Sequence, residues 1–353
     1  MRRRSFLSFV YFATSCVALV TFGLPVDASA SEKYRISGPI VHDNLAIYLV
    51  HGASLAGPVP LTLQEAVAKG VATVHETGDV NQLDIENLGD DEIFVQSGDI
   101  VKGGKQDRVL TVSLLLQPRS GRIPIASFCV EEGRWSARGR EDVRTFASAA
   151  SIIPSREAKI AMKAAPARSR EMAHPHATSA LAMSQTEVWG NVERVQRQLS
   201  VNVGAPVASS QSQTSLQLAL ENDKLKDAQT AYVKALLSAG EEKDNVIGYV
   251  FAVNGKLNSA DIYPSNGLFR KMWPKLLAAN ATEAISEKNA KSASPLPSRD
   301  QVMAFLDAAE RGTASEKTLT EIVRLETRDS KNAYLFETRR ATGDFVHRNY
   351  LAK

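Results

Sequence analysis

An α+β fold, with a mostly antiparallel β-sheet system and helices packed against it, is what this sequence predicts. Three observations carry that expectation. Residues 34–135 hold short apolar runs punctuated by turn residues, a strand pattern. Two stretches of helical spacing follow, at residues 186–199 and about 214–239. Strand character then returns at residues 246–253, ahead of Asn254-Gly255, the strongest short hairpin signal in the chain because both residues tolerate positive φ. A return to strand after long helices favours one main domain over two.

The elements follow in order. Residues 45–50 form a buried strand. Thr62 and Glu65 form a capping box, in which hydroxyl and carboxylate satisfy free amides, and it opens a short helix that Gly70 ends. Residues 71–75 are the next strand. Residues 83–87 and 92–96 flank Leu88-Gly89-Asp90-Asp91, expected as a hairpin turn. Residues 109–116 and 123–130 are two further strands, with Pro118 to Gly121 turning between them. Residues 136–185, rich in Ala, Ser, Arg and Pro, read as an irregular excursion with some helix, draped over the site.

The second long helix carries Leu216, Leu220, Ala228, Ala231, Val233, Leu236 and Leu237 with charges between them, and Gly240 stops it. A Ser/Gln-rich linker at 204–213 precedes it. After the hairpin, Phe269, Met272, Trp273, Leu276 and Leu277 mark a helix. Residues 286–299 are a polar Pro/Ser-rich linker. Residues 300–353 are a short C-terminal extension: a helix at 300–311, then strands at 319–326, 333–339 and 347–351. The predicted organisation is therefore a leader at 1–30, a main domain at 31–285, the linker and that extension.

The leader rests on Arg2, Arg3 and Arg4, an apolar run over 5–24, and small residues at Ala28-Ser29-Ala30. Cleavage after Ala30 would place the mature protein in the periplasm or outside the cell, with no stable membrane span. A retained anchor is the alternative, since the run is nearly long enough to cross a bilayer. Losing Arg2, Arg3, Arg4 and Asp27 takes the formal net charge from +3 to +1. No Lys/Arg stripe interleaves with aromatics, which argues against a nucleic-acid groove. Cys16 leaves with the leader. Cys129 is then alone and an internal disulfide is impossible.

The polar segments 98–108 and 129–135 locate the candidate site. Lys102, Lys105 and Arg108 surround Gly103-Gly104 and Gln106. Glycines let backbone amides approach a ligand, and lysine and arginine add charge, so a small anionic ligand is the natural guest. A Walker loop is excluded because Gln106 follows the lysine where a Ser or Thr would hold Mg²⁺. Cys129 is a candidate nucleophile if nearby cations lower its pKa, though a strand cysteine is more often a buried small hydrophobe. Glu131 is the better catalytic candidate, as a general base beside Arg134 or simply its ion-pair partner. Glu76 follows a strand in the same half and is placed to converge on it. Trp135 stacks on a planar ligand or caps the core. Trp189 and Trp273 lie in helical apolar patterns and read as core.

Metal binding has little support. His174 and His176 flank a proline, the other histidines are scattered, and no His/Cys/acid spacing matches a zinc site. No cofactor is expected.

With the Gly103-Gly104-Lys105-Gln106 segment followed by Cys129-Val130-Glu131, then Trp189, the 248–255 hairpin, Asp261 and the 269–277 helix, the chain resembles the ARG and rhodanese-phosphatase superfamily-associated protein domain family. The resemblance covers about residues 34–282, with the tail beyond about 285 outside it. The family's associations imply nucleotide or ADP-ribose metabolism. The functional expectation is an exported hydrolase or transferase acting on a small anionic, nucleotide- or sugar-phosphate-like substrate. A non-catalytic binding protein and a structural envelope protein, whose C-terminal tail engages an unidentified partner, are the alternatives.

Overall fold

A computed structural model of the chain describes residues 29–171, 177–241, 244–289 and 294–353. One helical turn, α1 (Ala30–Lys33), leads into β1 (Arg35–His42) and β2 (Leu45–His51). The two-residue strand β3 (Leu61–Thr62) runs into α2 (Leu63–Ala68). There the Thr62 hydroxyl accepts from the Glu65 amide and the Glu65 carboxylate accepts from the Thr62 amide, completing the capping box. Strands β4 (Ala72–Glu76), β5 (Gln82–Asn87), β6 (Ile93–Val95), β7 (Asp99–Gly103), β8 (Arg108–Leu110), β9 (Leu114–Leu116), β10 (Gly121–Cys129) and β11 (Thr145–Ile152) follow. Helices α3 (Arg156–Glu171), α4 (Ala177–Val203), α5 (Leu216–Leu220) and α6 (Asp223–Leu236) precede the hairpin β12 (Val246–Val253) and β13 (Lys256–Ile262). The chain ends with α7 (Asn266–Ser286), α8 (Arg299–Glu310), β14 (Thr313–Thr320), β15 (Val323–Asp329), β16 (Ala333–Arg340) and β17 (Phe345–Ala352).

The strands form three sheets. Six close into an antiparallel barrel in the order β10-β5-β4-β11-β7-β8, with β8 pairing back onto β10. Eight form an antiparallel sheet in the order β1-β2-β12-β13-β17-β16-β15-β14. A small sheet, β3-β6-β9, sits beside them. Strands β2 and β12 are buried throughout. Leu45, Ile47 and Leu49 face α7, which brings Phe269, Met272 and Trp273 to the same core. Ala46, Tyr48 and Val50 face the opposite side with Val302, Phe305, Leu306 and Ala309 of α8. Covering both faces is why these strands read as continuous apolar runs rather than alternating ones. The Asn254-Gly255 turn has φ of 50° and 74°, the conformation a two-residue hairpin turn requires.

Several local expectations are corrected. Leu88 to Asp91 does not close a hairpin, because β5 belongs to the barrel and β6 to the small sheet. The Asn87 amide bridges Asp91 O and Gln117 O, both at 2.8 Å, and ties that crossing. The apolar run 109–116 breaks into β8 and β9 at Thr111 to Ser113, again passing between sheets. The expected excursion at 136–185 contains β11, which closes the barrel between β4 and β7. The run expected as one helix from 214 divides at Asn222, whose side chain caps the Lys224 and Leu225 amides.

The last strands are not separate from the main sheet. β17 pairs with β13 on one side and β16 on the other, with Asp261 opposite Asn349. Trp273 is fully buried and donates to Leu237 O at 2.7 Å. Gly240 is held against it, since a Cβ there would lie 2.5 Å from the indole. Trp189 is only half-buried. Of residues 1–30, where a leader is expected, only Ser29 and Ala30 lie among the described residues, with Ser29 at the N-cap of α1 and Ala30 buried. His174 and His176 fall outside them.

Candidate functional site

The β7–β8 turn and the loop after β10 meet at one end of the barrel, because Cys129 on β10 pairs with Arg108 on β8. Most of the residues expected from the sequence gather there, joined by Asp107 and Arg138, and they divide into two groups. The outer group is Glu76, Lys105, Gln106, Arg108, Cys129 and Trp135. The inner group is Asp107, Glu131, Arg134 and Arg138.

In the outer group, Arg108 is fully buried. Its Nη1 donates to Gln106 O at 3.2 Å and to Gln106 Oε1 at 3.4 Å. Its Nε and Nη2 have no hydrogen-bond partner. Glu76 Oε2 lies 3.7 Å from Nη2 and accepts from the Lys105 amide at 3.1 Å. Glu76 thus converges on Lys105 and Arg108. The Trp135 ring covers this corner, with Lys105 Nζ 5.1 Å and the Arg108 guanidinium 5.5 Å from its centroid. Trp135 itself is 45% exposed. Cys129 is buried, and its backbone exchanges two 2.9 Å hydrogen bonds with the Gln185 amide. Burial pushes its thiol up to about 11, against the opposing pull of Arg108. A neutral thiol at pH 7 is a weak nucleophile. Lys102 turns away to pair with Glu221 at 2.8 Å.

The glycines serve the turn more than a ligand. The Gly103 amide donates to Asp107 Oδ1 at 3.0 Å. Gly104 has φ of 52°, and a Cβ there would lie 2.2 Å from the Phe146 ring. That contact demands glycine whatever the loop binds.

The inner group is a closed network of charges. Arg138 grips both Asp107 oxygens at 2.9 and 3.0 Å and reaches Glu131 Oε1 at 3.2 Å. Arg134 donates to Glu131 Oε2 at 2.7 Å and to the Gly103 and Gly104 carbonyls at 3.1 Å. Glu131 Oε2 also accepts from the Asp107 amide, and Ser215 Oγ donates to Asp107 Oδ2 at 2.7 Å. Asp107 and Glu131 are fully buried. Both Glu131 oxygens are therefore engaged, which fits an anchor of the loop better than a free base.

A second polar constellation lies away from the candidate site expected from the sequence, and of its members only Asp261 carries a sequence expectation, as part of the family resemblance. Ser113, in the break between β8 and β9, places Oγ 3.0 Å from His347 Nδ1. His347 Nε2 lies 2.9 Å from Asp261 Oδ1. Asn349 Nδ2 donates to the same oxygen at 2.9 Å, and Lys163 Nζ donates to Asn349 Oδ1 at 2.5 Å. Burial pushes the Lys163 amine down to about 7. Two sequence signals point here: the polar interruptions Thr111 and Ser113 in an apolar run, and His347, Arg348 and Asn349 consecutive on a strand that ends buried. Neither reveals the partner, which lies 86 residues from His347.

Glu157, Glu283 and Glu287 bring oxygens within 4.8 Å of one another, close enough to consider for a metal ion. Arg156 and Arg194 already pair with Glu157, at 2.7 and 3.5 Å. Burial, then the charges of Glu283 and Glu157, push the Glu287 carboxyl up to about 7. Glu283 is raised by burial as well. A carboxyl that holds its proton more tightly folded than unfolded stabilises the fold below the unfolded value, near 4.5, and that contribution is lost as pH climbs through about 7. Glu287→Gln is expected to flatten the fall in Tm between about pH 5 and 7. A slope identical to the parent protein would show that Glu287 titrates normally.

A closed antiparallel barrel beside a larger antiparallel sheet, with helices packed against them, defines an α+β protein. The ARG and Rhodanese-Phosphatase-superfamily-associated Protein domain matches residues 33–351, and the chain belongs to that family. The match runs past the boundary near residue 282 expected from the motifs, in keeping with the pairing of β17 to β13. Neither the curated proteins nor the solved structures contain a match to the chain. Among the described residues, no helix is long and apolar enough to cross a membrane.

Proposed function

We propose that the barrel end recognises a small anionic ligand, with Arg108 and Lys105 as its charged contacts and Trp135 as a stacking cover. The observation that carries this reading is Arg108: a fully buried guanidinium with two nitrogens, Nε and Nη2, lacking hydrogen-bond partners. Buried donors are normally satisfied, and an arginine fork is shaped to hold two oxygens of a phosphate or carboxylate. Trp135 lies over the guanidinium, so entry requires the exposed indole to swing aside, and its ring then offers a face to a planar group. A nucleotide- or sugar-phosphate-like ligand meets both demands.

Glu131 is held by two arginines and Cys129 is a neutral thiol, so this end is read as a binding site rather than a place of turnover. An export leader over residues 1–30 remains part of the proposal, on the charge and apolar pattern of the sequence.

The test is thermal shift and tryptophan fluorescence of the chain against nucleotides, ADP-ribose, sugar phosphates and small carboxylates. A ligand at about 100 times its Kd adds about 2.7 kcal/mol of stability. Lys105→Ala is expected to melt like the parent and lose at least tenfold in affinity. If no compound shifts the parent, or if Lys105→Ala binds equally well, the proposal fails.

A further inference from the structure

A cavity of about 310 Å³ lies between the barrel and the far half of the large sheet. Its wall includes Thr111, Ser113, Lys163, Phe336, His347 and Asn349. The residues of the anion-recognising corner take no part in it, so the chemistry of this cavity is independent of that proposal.

Three elements converge on this wall. The break between β8 and β9 supplies Ser113, β17 supplies His347 and β13 supplies Asp261. Burial works against the charged form of Asp261, yet bonds led by that from His347 hold its carboxyl below the usual range. Tyr249 donates to the other oxygen, Oδ2, at 2.5 Å. An ionised Asp261 can only accept, so His347 Nε2 is the donor to it, and in the neutral imidazole Nδ1 is then the acceptor that faces Ser113. The Ser97 amide donates to Ser113 Oγ at 3.0 Å, leaving the hydroxyl proton to point at Nδ1. Nucleophile, base and orienting acid thus stand in sequence at hydrogen-bond distances, with an open cavity beside the first two. Here Nδ1 faces the serine and Nε2 the acid, the reverse of the serine-protease assignment, with the acid still fixing which nitrogen is free to act as base.

We propose that Ser113, activated by His347 and positioned through Asp261, is an acyl-transfer nucleophile, and that the cavity accepts carboxylic esters with a short apolar acyl group. Val112, Met162, Leu325 and Phe336 supply the apolar wall for that group. Ser113 Oγ attacks the ester carbonyl carbon as its proton passes to His347 Nδ1. The carbonyl π electrons move to oxygen, and the Lys163 amine, on the same cavity wall, is the donor at hand for the anionic centre. Collapse of this intermediate breaks the bond to the leaving alkoxide, which takes the proton from Nδ1 and departs as an alcohol. Water then adds to the acyl-serine and gives its proton to Nδ1. Loss of Oγ, which takes that proton back, frees a carboxylic acid.

The full chain is treated with diisopropyl fluorophosphate and its mass measured, then mapped by peptide. Oγ–P formation expels fluoride, so each modified chain gains one diisopropylphosphoryl group. The expected result is a single adduct on Ser113 in the parent. The adduct is absent from Ser113→Ala and forms at least about a hundredfold more slowly in His347→Gln. Labelling of Lys105→Ala at the parent rate separates this inference from the anion-binding proposal. Two results overturn it: a parent protein with a sharp melt and no adduct, or an adduct that persists in Ser113→Ala. Either would make the three side chains a self-satisfied buried network.

Discussion

A chain ending at Ser286 is expected not to fold cooperatively. The cut removes α8 and β14 to β17. Strand β13 would lose its partner β17 and present a bare edge along Ser259 to Ile262. The face of β2 and β12 that carries Ala46, Tyr48, Val50, Val250 and Ala252 would lose the α8 side chains packed on it. Val302, Phe305 and Leu306 alone represent roughly 1.5–3 kcal/mol each of apolar burial. A whole domain rests on only about 5–15 kcal/mol. The truncated chain should melt without a sigmoidal transition and elute as an aggregate on gel filtration. A sharp melt from a monomer would instead show that residues 300–353 are an appendage, as the Pro/Ser-rich stretch before them suggests.

That contrast shows where sequence legibility ends. The hairpin at Asn254-Gly255, the Thr62–Glu65 cap and the buried run at residues 45–50 are local features, and each is visible in the residues that form it. Sheet membership is not local. β5 and β6 both read as strands and are adjacent in sequence, yet they enter different sheets, because the partners that decide it are β10 in one case and β9 in the other. β11 is hard to read from sequence because Thr145 to Ile152 is rich in Ala and Ser, poor strand formers drawn into the barrel by β4 and β7. The chain spacing before α8 looks like a domain linker because its composition is that of any exposed loop.

The candidate site divides along the same line. The segments 98–108 and 129–135 stand out as dense polar punctuation of strands, and they do meet at the barrel end. Their internal roles depend on atoms the sequence does not order. Arg138, four residues past Arg134, carries no motif of its own, and its guanidinium occupies the oxygens of Asp107 and reaches Glu131. Ser113, Asp261 and His347 come from three distant segments, so no spacing rule could assemble them.

Arg138→Ala is expected to cost about 3–5 kcal/mol, the range for removing one partner of a buried ion pair. Asp107 would lose its two-pronged partner while remaining fully buried, keeping Ser215, the Gly103 amide and only the longer 3.5 Å ion pair with Arg134. Glu131 would keep Arg134, so the damage should centre on Asp107. Pairing the change with Asp107→Asn removes the stranded charge, and the double variant should recover part of the loss. The control is Arg119→Ala, whose partner Asp90 is 81% exposed along its side chain, and for which a loss under about 1 kcal/mol is expected. Urea titrations read all four proteins. A loss below about 1 kcal/mol in Arg138→Ala would mean that water reaches the Asp107 carboxylate. The inner network would then be a solvated cluster, and Glu131 would return as a candidate base.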